Sequence, residues 1–219
     1  MQVRFTGYKA GKDNAYKGHP DGGADTKSGV LLNERYATCA VPMDAGRSNL
    51  RVGNIILVEN NGKKALVWAT DVGKMPHGDI DLAKSPALAR QLGIGFEETP
   101  DYVTGLTGVG TTNATKVANI DVAGFKNPNV VNETILGINE KIEKGELDPN
   151  NIAAIQAALD AGIKDPVNLQ KANEVASFTA PQKGYGNYND VRDGKRRGED
   201  DDMIGYLNRT LQENFLLGV

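Results

Sequence analysis

Two apolar runs, residues 55–59 and 65–69, are separated by Asn60-Asn61-Gly62-Lys63, which directs the chain to fold back on itself as an antiparallel β-hairpin. An Asn-Gly step supplies the positive-φ residues of a tight turn, and runs rich in Ile, Leu and Val suit a buried pleated surface. The second run leads straight into Thr70-Asp71-Val72-Gly73, so a carboxylate stands where a strand leaves the core.

Other segments carry the same signal more weakly. Val3, Phe5 and Gly7 alternate with Arg4, Thr6 and Tyr8, the pattern of a short half-buried strand. Residues 36–41 form a further apolar run, closed by Asp44-Ala45-Gly46 as a turn, and Ile80-Asp81-Leu82 is a brief extended piece. Residues 116–125 alternate again, with Ala118, Ile120 and Val122 on one face, and predict a closing strand. Between these, residues 9–29 are expected to form a surface loop and residues 96–115 an insertion loop. The 26 glycines and an aromatic content of 6% favour this turn-rich β reading over a helical bundle.

Helical signals are sparse before residue 128. Ser85 as N-cap, Pro86 at the first helical position and Gly93 as stop predict a helix over residues 86–92. Later, Ile135, Ile138 and Ile142 recur at helical spacing within residues 131–144 and end at Gly145. Asp148-Pro149 opens a second helix reaching Gly162, and Asp165-Pro166 a third, short one. These helices are lean in large apolar residues, so they are expected to pack on the β domain or on another chain. Residues 178–202 lack periodicity and read as an extended arm. Residues 203–217 gather Ile204, Leu207, Leu211, Phe215 and Leu216 on one helical face, which a free tail has no use for, so this segment is expected to dock on a partner. The organisation expected is thus a β domain over 1–127, a helical segment over 128–177 and an arm with a terminal amphipathic helix over 178–219.

Composition excludes some classes of function. A formal net charge of -3 gives no general polyanion-binding surface, so nucleic acid is not expected as a partner. The single cysteine, Cys39, lies in an apolar run, where it is expected to be a small buried hydrophobe and not a nucleophile. No run approaches the length of a membrane span, and Met1 to Phe5 carry no export signal, so a wall-directed protein of this sequence would need another carrier. The Gly105 to Gly110 run has no helix after it, which argues against a dinucleotide loop.

The densest polar constellation is the stretch from Asp71 through Lys74, His77 and Asp79 to Asp81. Asp79 and Asp81 are two apart in an extended piece and point the same way, with Ile80 turned to the other face. Carboxylates at strand ends beside a glycine turn can do acid–base work on a glycosidic bond, provided one of them keeps its proton. The same residues can equally cap turns and the following helix. Grouped as metal ligands, Asp71, His77, Asp79 and Asp81 make an oxygen-rich cluster of a kind common in loops, and neither a metal nor another cofactor is expected.

The order Ala69-Thr70-Asp71-Val72-Gly73 followed by Ile80-Asp81-Leu82 resembles the signature of double-psi β-barrel cell-wall enzymes. These include the lytic transglycosylase A group, the rare lipoprotein A group, the three-aspartate domain of Gram-positive wall hydrolases and, more remotely, expansins. Thr6-Gly7-Tyr8 resembles the family's first strand, and residues 50–58 its Gly-Thr strand, with Arg51 and Asn54 in place of the usual Pro and Thr. Ala40-Val41-Pro42-Met43-Asp44 is a displaced match to the third aspartate. The resemblance covers residues 3–125.

It implies a mainly β fold, a six-stranded double-psi β-barrel with a helical and extended C-terminal segment. It implies a peptidoglycan lytic transglycosylase acting between N-acetylmuramic acid and N-acetylglucosamine. Asp81 would be the single general acid/base and Asp71 the second carboxylate, with Asp79, His77, Asp44, Lys74 and Tyr8 binding sugar. The partners expected are peptidoglycan glycan strands and, through the arm, other virion or assembly proteins. The setting that suits such a chain is a bacteriophage virion or tail acting in the bacterial periplasm and cell wall. The alternative is a structural virion protein that keeps the barrel as a scaffold or glycan-binding module without activity.

Overall fold

The computed structural model describes residues 1–9, 26–28, 30, 32–43, 49–73, 79–100, 102–120, 127–165, 167–168 and 170–171. The Asn-Gly hairpin forms as expected and is longer than its apolar runs: β3 (Asn54–Asn60) and β4 (Lys63–Gly73) pair antiparallel from Ile55↔Trp68 to Asn60↔Lys63. Asn61 (φ 49°) and Gly62 (φ 84°) take the left-handed conformation that the turn needs. Around this hairpin lie β1 (Phe5–Tyr8), β2 (Thr38–Pro42), β5 (Ile80–Ala83) and β8 (Thr112–Asn119). Together they make a mixed six-stranded sheet in the order β1-β5-β2-β4-β3-β8. The pairs β1/β5 and β2/β4 are parallel, and the other pairs antiparallel.

Residues 1–3 lie between the two edges of this sheet. Val3 N–H donates to the Thr112 carbonyl and Ala114 N–H to the Met1 carbonyl, while the strand that follows pairs with β5. Among the described residues the ladders do not close β1 onto β8; an isolated antiparallel bridge, Gln2↔Asn113, is what joins the edges.

Two expectations about this half are corrected. The stretch 96–115 is not an insertion loop: it holds the hairpin of β6 (Gly95–Glu98) and β7 (Val103–Thr107) and the start of β8. Its glycines and threonines hid a packing function. Phe96 and Leu106 of the hairpin seat against β1 at Gly7, where an added Cβ would come within 2.8 Å of Leu106 Cδ2 and 3.0 Å of Phe96 Cε1. Gly7→Val is therefore expected to destabilise the fold by roughly 1–3 kcal/mol through overpacking. Chemical denaturation checks this, and an unchanged midpoint would show that the hairpin yields freely. The second correction concerns the closing strand, which runs from Thr112 to Asn119 and buries Ala114 and Val117 ahead of Ala118; Ile120 just past it is buried, and Val122 lies outside the described residues. A register shift opposite Ile55/Ile56 lets Lys116 and Ala118 face successive β3 residues, and this breaks the alternation.

α1 (Pro86–Leu92) has the caps that its sequence spells out. Ser85 Oγ accepts from Leu88 N–H, Pro86 opens the helix, and Gly93 ends it at φ 68°. The helix buries Leu88 and Leu92. α2 (Pro128–Glu143) and α3 (Ile152–Ile163) follow; α2 starts earlier than its predicted range and is longer, whereas α3 starts later than the Asp148-Pro149 signal and is shorter. Both pack on the sheet, α2 against β4 and α3 against β8. Val131, Ile135, Ile138, Ile155 and Leu159 join the same apolar core as Trp68, Ile56 and Leu82. Residues Met1–Phe178 make one compact unit. The arm and the terminal amphipathic segment, 178–219, fall outside the described residues; of the short third helix, residues 167–168 and 170–171 are described and helical, and Pro166, Leu169 and Ala172 lie outside the described residues.

Polar locks hold α2 in place. Buried Glu133 receives Arg35 in a two-pronged ion pair, at 3.0 and 3.1 Å, and the Tyr36 hydroxyl at 2.9 Å. Burial, followed by that bond to the Glu133 carboxylate, drives the Tyr36 phenol well above its ordinary pKa. Asn139 bonds to both backbone groups of Leu66 on β4. No helix among the described residues is long and apolar enough to cross a membrane.

Candidate functional site

Asp81 sits at the centre of β5, flanked by Ile80 and Leu82, which both point into the main core. Strand alternation therefore turns Asp81 to the opposite face. Its ladder partners are Thr6 on β1 and Ala40 on β2. Ala40 in turn pairs with Asp71 on β4. Residues opposed across a ladder share a face, so Thr6, Asp81, Ala40 and Asp71 form one row across four neighbouring strands.

Asp71 reaches that row through a β-bulge. Cys39 faces Ala69, but Ala40 faces Asp71, leaving Thr70 unopposed on β2. Without the extra residue, Asp71 would stand opposite Val41, which points into the core. The bulge flips it to the face of Asp81, as bulges re-aim side chains elsewhere. Ala40, between the two carboxylates, is too small to separate them. Two strand spacings place their Cα atoms about 10 Å apart.

Around the row the setting is close and polar. Tyr8, opposite Ala83 on the neighbouring row, is buried with Ala40, Ala83 and Leu32 in a small apolar cluster apart from the main core. It is more enclosed than a half-buried strand implied, because this outer face is itself covered. The Tyr8, Thr38 and Thr70 hydroxyls are buried and take no hydrogen-bond partner among the described residues. Burial, followed by the charge of Asp71 and, further down, Asp81, holds the Tyr8 phenol well above its usual pKa. The Cys39 thiol is pushed up in the same way, by burial and then by Asp81 and Asp71, so it stays protonated and unreactive.

The two carboxylates are held differently. Asp71 is half-buried, and its Oδ1 accepts from the N–H groups of Lys27 and Val72, both at 2.8 Å. Asp81 is also half-buried, with Oδ1 sealed from solvent. The Lys27 contact was not foreseen. The loop expected over 9–29 docks its end on β4: Ser28 N–H donates to the Thr70 carbonyl, and Thr26 is buried with its Oγ1 on the Val30 carbonyl.

The other predicted residues divide. Asp79 is buried and both of its oxygens go to Arg4, at 3.0 and 2.6 Å, so it does not face the row as an open carboxylate. Tyr8 lies beside the pair. Asp44, Lys74 and His77 lie outside the described residues. Of the four residues weighed as a metal set, His77 lies outside the described residues and Asp79 gives both oxygens to Arg4. A dent of about 30 Å³ next to the Tyr8 cluster is lined by Lys9, Leu32, Asn33, Glu34, Ala83 and Lys84. There Lys84 bridges Glu34 and Glu98, and Lys9 also meets Glu98. A larger cavity of about 50 Å³ lies away from the pair, between α1 and α2. No protein-family model matches the chain, and no curated protein matches it.

Proposed function

We propose that this chain is a peptidoglycan lytic transglycosylase built on a double-psi β-barrel, with Asp81 as its acid/base and Asp71 as the supporting carboxylate. The observation that carries the reading is the shared row: two aspartates on one sheet face, on either side of a single alanine. Side chains rising from Cα atoms about 10 Å apart can span the roughly 5–9.5 Å at which paired carboxyl groups work on glycosidic bonds. The two parallel strand pairs, and residues 1–3 bridging β1 toward β8, support the barrel as its scaffold.

In this mechanism protonated Asp81 gives its proton to the oxygen between N-acetylmuramic acid and N-acetylglucosamine as that bond breaks. The positive charge developing on the muramyl ring is met by Asp71, held ready by the Lys27 and Val72 amides. Asp81, now a carboxylate, takes the proton of the muramyl 6-hydroxyl as that oxygen closes on C1. The product is a 1,6-anhydro end, water takes no part, and Asp81 is again protonated. Delivery in a phage virion or tail belongs to the same proposal.

The test is digestion of purified sacculi followed by mass spectrometry of the released muropeptides. Anhydro-ended fragments are the expected product; hydrolysed ends, or none, overturn the lyase. A second reading, a glycan-binding or structural barrel, is favoured by the sealed Asp81 Oδ1 and by the two amides on Asp71 Oδ1. Sedimentation of the protein with sacculi that it leaves uncut would establish that reading instead.

A further inference from the structure

Arg4 and Asp79 form the most tightly made ion pair near the carboxylate row, and the mechanism above does not use it. Asp79 precedes β5 by one residue and is 2% exposed at its side chain; Arg4 precedes β1 by one residue and is 55% exposed. Ile80 N–H donates to the Arg4 carbonyl, continuing the β1/β5 ladder back by one step. The pair therefore lies one row from Thr6 and Asp81, about 7 Å along the strands.

The way Asp79 grips the guanidinium decides what is left over. It takes Nε–H and one N–H of Nη2, the side-on edge. A guanidinium carries five N–H donors in a fixed plane, so the second N–H of Nη2 and one of Nη1 still project in parallel from the end-on edge. Neither takes a partner among the described residues. Such a fork matches the two oxygens of a carboxylate. A buried acid that fixes one edge of an arginine also orients the other, so the fork is set before any ligand arrives.

We propose that Arg4, held by Asp79, is a carboxylate-binding subsite beside the Asp71/Asp81 row, with the end-on fork of its guanidinium as the ligand-binding edge. The identity of the ligand rests on the glycan-cleaving reading. In that substrate the carboxylate is either the lactyl acid of a peptide-free muramyl unit or an acid of the attached peptide stem. The fork recognises both alike.

Three soluble oligomers of equal length separate the sources: N-acetylglucosamine alone, peptide-free muramyl glycan, and stem-bearing muramyl glycan. Their binding to wild type and to Arg4→Lys is measured by titration calorimetry. Lysine keeps a cation against Asp79 but has no planar fork. The expected result is a loss of at least about tenfold on one or both acidic oligomers, which identifies the source or shows that either serves, with N-acetylglucosamine binding unchanged. Equal losses on all three, or none on either acidic oligomer, overturn the subsite. Wild type alone gives a second readout that needs no variant to fold. Methyl esterification of the acidic oligomer should lower its affinity to that of the uncharged one, and undiminished binding overturns the proposal. Cleavage without any carboxylate preference removes the subsite and leaves the reaction; carboxylate-dependent binding without cleavage does the reverse.

Discussion

Asp81→Asn is expected to lower anhydro-muropeptide formation by roughly 10²- to 10⁴-fold while leaving the fold intact. Asparagine has the shape of the aspartate but carries no transferable proton, so both halves of the reaction lose their acid/base. The backbone at this position is laddered on two sides, to Thr6 and to Ala40, and does not depend on the side chain for its placement. The thermal midpoint should therefore stay near that of wild type, and the loss should appear in kcat. Asp71→Asn is the graded partner. Its side-chain oxygen can still accept from Lys27 and Val72, so the loop end stays docked, but the charge that the proposed mechanism sets against the muramyl ring is gone. A smaller loss than that of Asp81→Asn is expected, read in the same muropeptide assay. Full activity in Asp81→Asn would move the acid/base elsewhere and remove the basis of the mechanism.

The second large effect concerns stability. Asn139→Ala should cost about 3 kcal/mol, because it strands two buried backbone groups at roughly 1–3 kcal/mol each. β4 is laddered to β2 only from Trp68 onward, so at Leu66 the strand has β3 on one side and no strand on the other. Asn139 of α2 fills that gap as a second strand would: its Oδ1 accepts from Leu66 N–H at 2.7 Å and its Nδ2 donates to the Leu66 carbonyl at 2.8 Å. Gln91 extends the seam, donating from α1 to the Lys64 and Asn139 carbonyls. For a chain of this size 3 kcal/mol is about 6–12 °C in midpoint. Asn139→Asp should not rescue, since a carboxylate can accept from Leu66 N–H but cannot donate to its carbonyl. A variant within about 0.5 kcal/mol of wild type, the range of an ordinary surface change, would show that α2 does not depend on this lock.

Both predictions turn on residues whose neighbours are distant in the chain, and they mark where sequence reasoning thins out. The aspartate pair was legible as a motif, Asp71 after an apolar run and Asp81 between Ile80 and Leu82. Their sharing of a face was not, because alternation along β4 alone puts Asp71 on the side of Ala69. Asp79 showed the converse: its spacing from Asp81 suggested a second open carboxylate, and Arg4, 75 positions away, takes both of its oxygens. Nothing around Asn139 marked it as more than a polar helix residue, and the 96–115 stretch looked like a loop until Gly7 supplied a socket for Phe96 and Leu106.

What the sequence by itself determined is local: the Asn-Gly turn between β3 and β4, the Ser85 and Gly93 caps of α1, the buried run around Trp68, and the mainly β character of the first half. These follow from φ preferences, capping bonds and side-chain periodicity, which act within a few residues and are written in consecutive letters. The tertiary structure alone decided the bulge at Thr70, the Arg4–Asp79 grip, the Asn139 lock and the row that joins Asp71 to Asp81. Each depends on how distant strands settle their register when both faces of β4 are buried and its backbone groups need partners. That choice is made by the summed burial and hydrogen bonding of the whole sheet, so no short stretch of sequence contains it.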